Sequence, residues 1–244
     1  MSAKIQAVLF DSGRVLNAPQ SGHWFMPPGF FKQVDESKFK KISKEKKQIA
    51  FDKAGQYICS IPLIATEEDE LEHFIKFYEI FSKELPELTL GKENILDLAK
   101  DIVYNTEKYT FFHDAERVIP ALHKDYKLAV VSDAWPSLMR VFKHAALFPF
   151  FSSFVISSVI GAAKPNEKMY RKALEELDVP AQNSVFVDDN LNNCYGAMKL
   201  GIHVVLLCRE RPRYLMNKVK SIGRGYRVVK SLDAFTEPGF FDKF

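Results

Sequence analysis

Five short apolar runs constrain this chain more than any other feature: residues 5–10, 128–131, 154–156, 185–187 and 204–207. Each is brief, rich in β-branched residues and bounded by turn formers. A strand with one wet face alternates apolar and polar residues, so runs this uniformly apolar predict strands covered on both faces. Between the later runs lie apolar residues at three- and four-residue spacing, over residues 115–123, 137–145, 167–177 and 193–200. Strand alternating with helix predicts an α/β fold, a parallel sheet wrapped by helices.

Residues 17 to about 110 break the alternation. They hold no convincing strand and several amphipathic helical patterns. The clearest starts at Thr66, an N-cap type followed by Glu67, Glu68 and Asp69, where acids complement the positive end of a helix. It places Leu71, Phe74, Ile75, Tyr78 and Phe81 along one face. A second pattern carries Ile95, Leu98, Ala99 and Ile102. This segment reads as an α-helical domain (17–107) inserted into a core made of residues 1–16 and 108–244. The first strand must then pair with strands more than a hundred residues later.

Composition removes several function classes. The 244 residues carry a net charge of +3, too small to argue for nucleic acid, and the lysine cluster from Lys38 to Lys47 reads as a solvated helix face. Three cysteines without CxxC spacing indicate neither a disulfide framework nor a zinc site. The first apolar run is too short, and too soon interrupted by Asp11, for a signal peptide. No stretch approaches the roughly 20 apolar residues of a membrane span. The expectation is a cytoplasmic protein that acts on neither membrane nor nucleic acid.

In open parallel sheets ligands sit beyond the carboxyl ends of the strands. After the first run comes Asp11, after the second Ser132-Asp133, and after the fourth Asp188-Asp189-Asn190. The loop Gly161-Ala162-Ala163-Lys164-Pro165 adds a lysine just before a helix expected to start at the proline. Taken singly, Asp11 is a turn former, Ser132 a helix cap and Lys164 a surface residue. Two adjacent carboxylates beside a buried strand are different, because they repel and call for a cation.

These marks, VLFDSGRVL, VVSDA, GAAKPNEKMY and VFVDDNLNNCYGAMKLG, resemble those of the haloacid dehalogenase-like (HAD) superfamily in order and in their apolar lead-ins. The resemblance implies a Rossmann-like core with the helical segment as cap domain. It further implies a hydrolase, a phosphatase acting on a small phosphorylated metabolite. Asp11 would be the nucleophile, forming an aspartyl-phosphate. Asp11, the Gly13 carbonyl and Asp189 would bind Mg²⁺, with Asp188 in or near the shell. Ser132 and Lys164 would hold phosphate oxygens, and Asn193 would support the acidic loop.

One departure matters. Phosphatases of this kind usually carry a second Asp two residues after the nucleophile, which protonates the leaving alcohol; here that residue is Gly13, followed by Arg14. His23 is a candidate for the missing acid, and the alternative is that it packs the entry to the inserted segment. Arg14 is a candidate clamp for a substrate anion, or a partner of Asp188 or Asp133. Competing readings are a 2-haloacid dehalogenase, which also lacks the second Asp but needs no metal, and a weakly active regulatory or binding protein on the same fold.

Overall fold

The computed structural model describes residues 4–244. Its main sheet has six parallel strands: β1 (Ala7–Phe10), β4 (Lys127–Ser132), β5 (Ser153–Ile156), β6 (Ser184–Asp188), β7 (His203–Leu207) and β8 (Arg227–Val229). The order is β5-β4-β1-β6-β7-β8. β1 and β6 are buried along their whole length, as their unbroken apolar runs require. Asn17–Pro19 (β2) and Tyr109–Phe111 (β3) form a separate two-stranded sheet.

Strand order fixes where chemistry can sit. The chain fills one side of β1 with β4 and β5, then returns to lay β6, β7 and β8 on the other, so the order reverses between β1 and β6. Phe10 is level with Val130 on one neighbour and Val187 on the other. The next residue of each strand therefore brings Asp11 beside Val131 and Asp188. Adjacent strands lie about 4.8 Å apart, so the strand-end acids Asp11 and Asp188 meet at the switch point.

The described chain forms two compact units. One comprises the chain up to Ala18, Phe111–Ala134 and Phe142–Phe244. It holds the sheet with helices α6 (His113–Leu122), α8 (Ser157–Ile160), α9 (Glu167–Leu177), α10 (Leu191–Met198) and α11 (Arg211–Lys220). Leu9, Ala129, Tyr170, Phe186 and Ala197 are among the residues of its core.

The other unit comprises Pro19–Thr110 and Trp135–Val141. Its helices are α1 (Phe30–Gln33), α2 (Glu36–Lys41), α3 (Lys44–Ser60), α4 (Glu67–Glu84) and α5 (Lys92–Tyr104). The helix α7 (Leu138–His144) begins in this unit. Thr66 caps α4 in a full capping box with Asp69, satisfying two backbone donors reciprocally. Phe74, Phe77, Tyr78 and Phe81 from α4 are buried against Phe30, Phe51 and Leu98. Among the described residues no helix is long and apolar enough to cross a membrane.

Four expectations need correction. β2 and β3 lie at the ends of the segment expected to hold no strand; at three residues each they are too short to show periodicity. β8 is a sixth core strand, equally short. The lysine cluster is two helices, not one, because Ser43 turns out of helix after α2 and accepts the Lys46 amide to start α3. Pro165 does not open α9: Asn166 caps that helix through the Lys168 amide.

Candidate active site

Asp11 leaves β1 directly into a tight loop. The Ser12 carbonyl receives the amides of Val15, Leu16 and Asn17 at 3.3, 2.8 and 3.1 Å, and Arg14 N donates to Asn17 O at 2.6 Å. The side chains close it as well, with Asn17 Nδ2 donating to Ser12 Oγ at 2.8 Å. The left-handed residue of this loop is Arg14, at φ +62°; Gly13 is not among the residues with positive φ.

Lys164 is the hub. Its Nζ donates to Asp11 Oδ1 at 2.5 Å and to Asp188 Oδ2 at 3.0 Å, with its side chain 1% exposed. The backbone N of Lys164 donates to Asp133 Oδ1 at 2.9 Å, which pins the loop that carries it. Asp188 is wholly buried. Its Oδ2 also accepts Asn193 Nδ2 at 3.0 Å, and its Oδ1 accepts Asn190 N at 2.7 Å. Three donors hold it in place.

The acids therefore lie close together without much water to separate them. One carboxylate oxygen from each of Asp11, Asp188 and Asp189 lies within 4.8 Å of the others. Burial pushes Asp11 up to about 7, with Lys164 opposing and the charge of Asp188 adding to the rise. Asp133 and Asp189 are also raised, chiefly by burial. Burial works to lower Lys164, yet Asp11, Asp188 and Asp133 together hold it above the ordinary lysine range. A hard dication with oxygen ligands would relieve this crowding, and carboxylate oxygens are the ligand type that suits Mg²⁺.

Ser132 is the last residue of β4 and is buried; α7 begins only at Leu138, so Ser132 is not its cap. Arg14 takes neither of its expected partners. It approaches Asp189, at 3.8 Å, with most of its side chain in solvent. His23 belongs to the second unit, where its Nδ1 accepts Phe25 N at 3.2 Å and its ring packs 4.2 Å from that of Phe51. Burial lowers its pKa, so at neutral pH it is an uncharged ring in a packing role.

Three contributors were missed in the sequence. Arg213, in the first turn of α11, donates through Nη2 to the Asp189 carbonyl and through Nη1 to Asp189 Oδ2 at 3.4 Å. Gly196 lets α10 approach the Lys164-Pro165 loop: a Cβ there would stand 2.7 Å from Pro165 Cβ and 2.8 Å from its carbonyl oxygen. Arg209 lies just past the fifth apolar run, so the same strand-end position that marks Asp11, Ser132 and Asp188 is the signal that could have found it.

Comparison with known proteins identifies the family. Residues 30–201 match the model of the haloacid dehalogenase-like hydrolases. Over 114 residues the chain is 29% identical to a glyceraldehyde 3-phosphate phosphatase of Pyrococcus abyssi, covering 43% of this chain and 46% of that protein. The chain thus spans about half the length of the first curated relatives it matches. A HAD phosphatase from Thermococcus onnurineus has a TM-score of 0.63 at 20% identity over 96% of this chain and 97% of its own. The L-2-haloacid dehalogenase of Xanthobacter autotrophicus has a TM-score of 0.58 at 18% identity, covering 95% and 96%. These structures share the fold while bearing the names of two different chemistries, so the fold alone does not choose between them.

Proposed function

Because the chain belongs to the haloacid dehalogenase-like hydrolases, we propose that it is a Mg²⁺-dependent phosphatase hydrolysing a small phosphorylated metabolite through an aspartyl-phosphate. One observation carries the reading: the clustered carboxylates of Asp11, Asp188 and Asp189, the first two bridged by Lys164. Asp11, Asp189 and the Gly13 carbonyl are the residues to hold Mg²⁺, with Asp188 beside them. When bound, the ion supplies positive charge against the oxygens of the transferring phosphoryl group.

The chain's own residues do the rest. A carboxylate oxygen of Asp11 bonds to phosphorus while the ester P–O bond breaks, and the leaving oxygen takes a proton from water. Water then attacks the phosphorus of the aspartyl-phosphate, releasing inorganic phosphate and restoring Asp11. Lys164, anchored by Asp188, and the Ser132 hydroxyl hold phosphate oxygens. Asn193 keeps Asp188 in place. Residues 17–107 serve as the cap domain to a core of residues 1–16 and 108–244.

The test is hydrolysis of p-nitrophenyl phosphate by the purified chain, with Mg²⁺ and after chelation. Activity should require the metal, and Asp11→Asn should abolish it while leaving the circular dichroism spectrum unchanged. Undiminished turnover in chelator, or chloride release from 2-chloropropionate in its place, would overturn the assignment.

A further inference from the structure

The loop after β1 is fastened from outside by a residue with no part in the proposed chemistry. Arg209 commits four of its five N–H groups. Nε donates to the Arg14 carbonyl at 3.2 Å and Nη2 to the Val15 carbonyl at 2.7 Å. Nη1 and Nη2 form a fork on Asp114, at 2.9 and 3.0 Å. The guanidinium also lies 3.8 Å from the centre of the Phe112 ring. Asp114, at the start of α6, is itself buried and held by the Leu232 amide at 2.8 Å.

The two carbonyls that Arg209 takes are not used inside the loop, whose own bonds converge on the carbonyls of Ser12 and Asn17. Beside them stands Arg14 in the left-handed region, a conformation that residues other than glycine rarely adopt. Such a residue keeps this geometry only where its surroundings over-determine it. A lysine could not substitute, because a point charge cannot bridge two carbonyls and a carboxylate while stacking on a ring.

We propose that Arg209 and Asp114 form a positioning clamp for the loop carrying Asp11 and Gly13, setting where the Asp11 carboxylate and the Gly13 carbonyl stand. The clamp's kinetic role rests on the reading of Asp11 as nucleophile. Its structural role does not, and the experiment separates the two. Arg209→Ala and Arg209→Lys are compared with wild type by amide hydrogen exchange over residues 10–18 and by p-nitrophenyl phosphate kinetics. In both variants, exchange at residues 12–17 should speed up while β1 and β4 stay protected. kcat should fall about 10²-fold, the cost of a small misplacement of a reacting group, with KM unchanged. Free guanidinium, at a non-denaturing concentration, should restore activity to Arg209→Ala but not to Asp11→Asn.

Wild-type exchange at residues 12–17 in both variants, or wild-type kcat, would overturn the clamp. If the wild type hydrolyses no phosphate ester, the function reading falls, and the exchange measurement alone decides whether Arg209 holds the loop. Should Arg209→Ala fail to fold, Arg209→Lys, which keeps the charge and the apolar stem, carries the test.

Discussion

At Gly13 and Arg14 the demands on side chain and backbone have parted. Glycine is needed where φ is positive, but the positive φ belongs to Arg14. The backbone angle φ therefore does not demand glycine at position 13. The absence of a carboxylate there removes an acid that would typically contribute about 10²–10⁴ in rate with poor leaving groups. His23 accepts Phe25 N at Nδ1, and burial lowers its pKa. Turnover should then depend steeply on leaving-group pKa, aryl and acyl phosphates being cleaved much faster than alkyl phosphates. Gly13→Asp should raise alkyl phosphate turnover about 10²-fold and aryl turnover little. A plot of log kcat/KM against leaving-group pKa for both proteins measures it; a flat wild-type line would show that an acid is already present.

Among elements, the contact between α10 and the Lys164-Pro165 loop is the tightest constraint on the site. Gly196 faces Pro165 and the Tyr170 hydroxyl, and Tyr170 donates to the Asn193 carbonyl at 2.8 Å. A methyl at position 196 meets backbone and ring atoms that cannot rotate away. Gly196→Ala should cost about 1–3 kcal/mol, as overpacking does, and lower kcat by displacing Lys164. Denaturant midpoints and steady-state kinetics check both halves. This contact also marks where sequence reading stops. β1, β4, β6 and β7 were legible because burial on both faces leaves continuous apolar runs. β8 was not, since Arg227-Val228-Val229 is too short to carry a pattern. The strand-end rule brought Asp11, Ser132 and Asp188 to one edge. It could not pair Arg209 with Asp114, 95 residues apart, because each alone is an ordinary surface type. Gly196 was hidden for another reason: a missing Cβ shows its purpose only against its neighbour.

On the scale of the whole molecule, both units are assembled from separated stretches of chain. In the helical unit the join is a buried polar knot. Lys108 Nζ donates to Ser137 Oγ and to the Ile102 carbonyl, each at 2.6 Å, and Ser137 donates through Oγ and N to Glu70 at 2.5 and 2.8 Å. Burial lowers Lys108 to about 8, with Glu70 acting against the fall. Between that value and the unfolded 10.5 the folded chain binds fewer protons than the unfolded one, so stability from this group rises with pH. The unfolding free energy of wild type minus that of Lys108→Met should be level below about pH 8 and climb toward pH 10.5. Denaturant titrations across that range measure it, and a difference that falls with pH would place the proton elsewhere.

The position of β1 also has a consequence in time. Its partners β4 and β6 begin at Lys127 and Ser184, so a nascent chain holds a fully apolar strand with neither edge paired. At about 5–20 residues per second, synthesis leaves that strand unpaired for on the order of ten seconds. The helical unit, by contrast, has nearly all its residues available before β4 is made. A nascent chain that has emerged to about residue 145, past Ser137 but short of β6, should therefore show protease-resistant helical structure while residues 5–16 remain open to cleavage and to chaperone capture. Protection of those residues should appear only once β4 and β6 have both emerged.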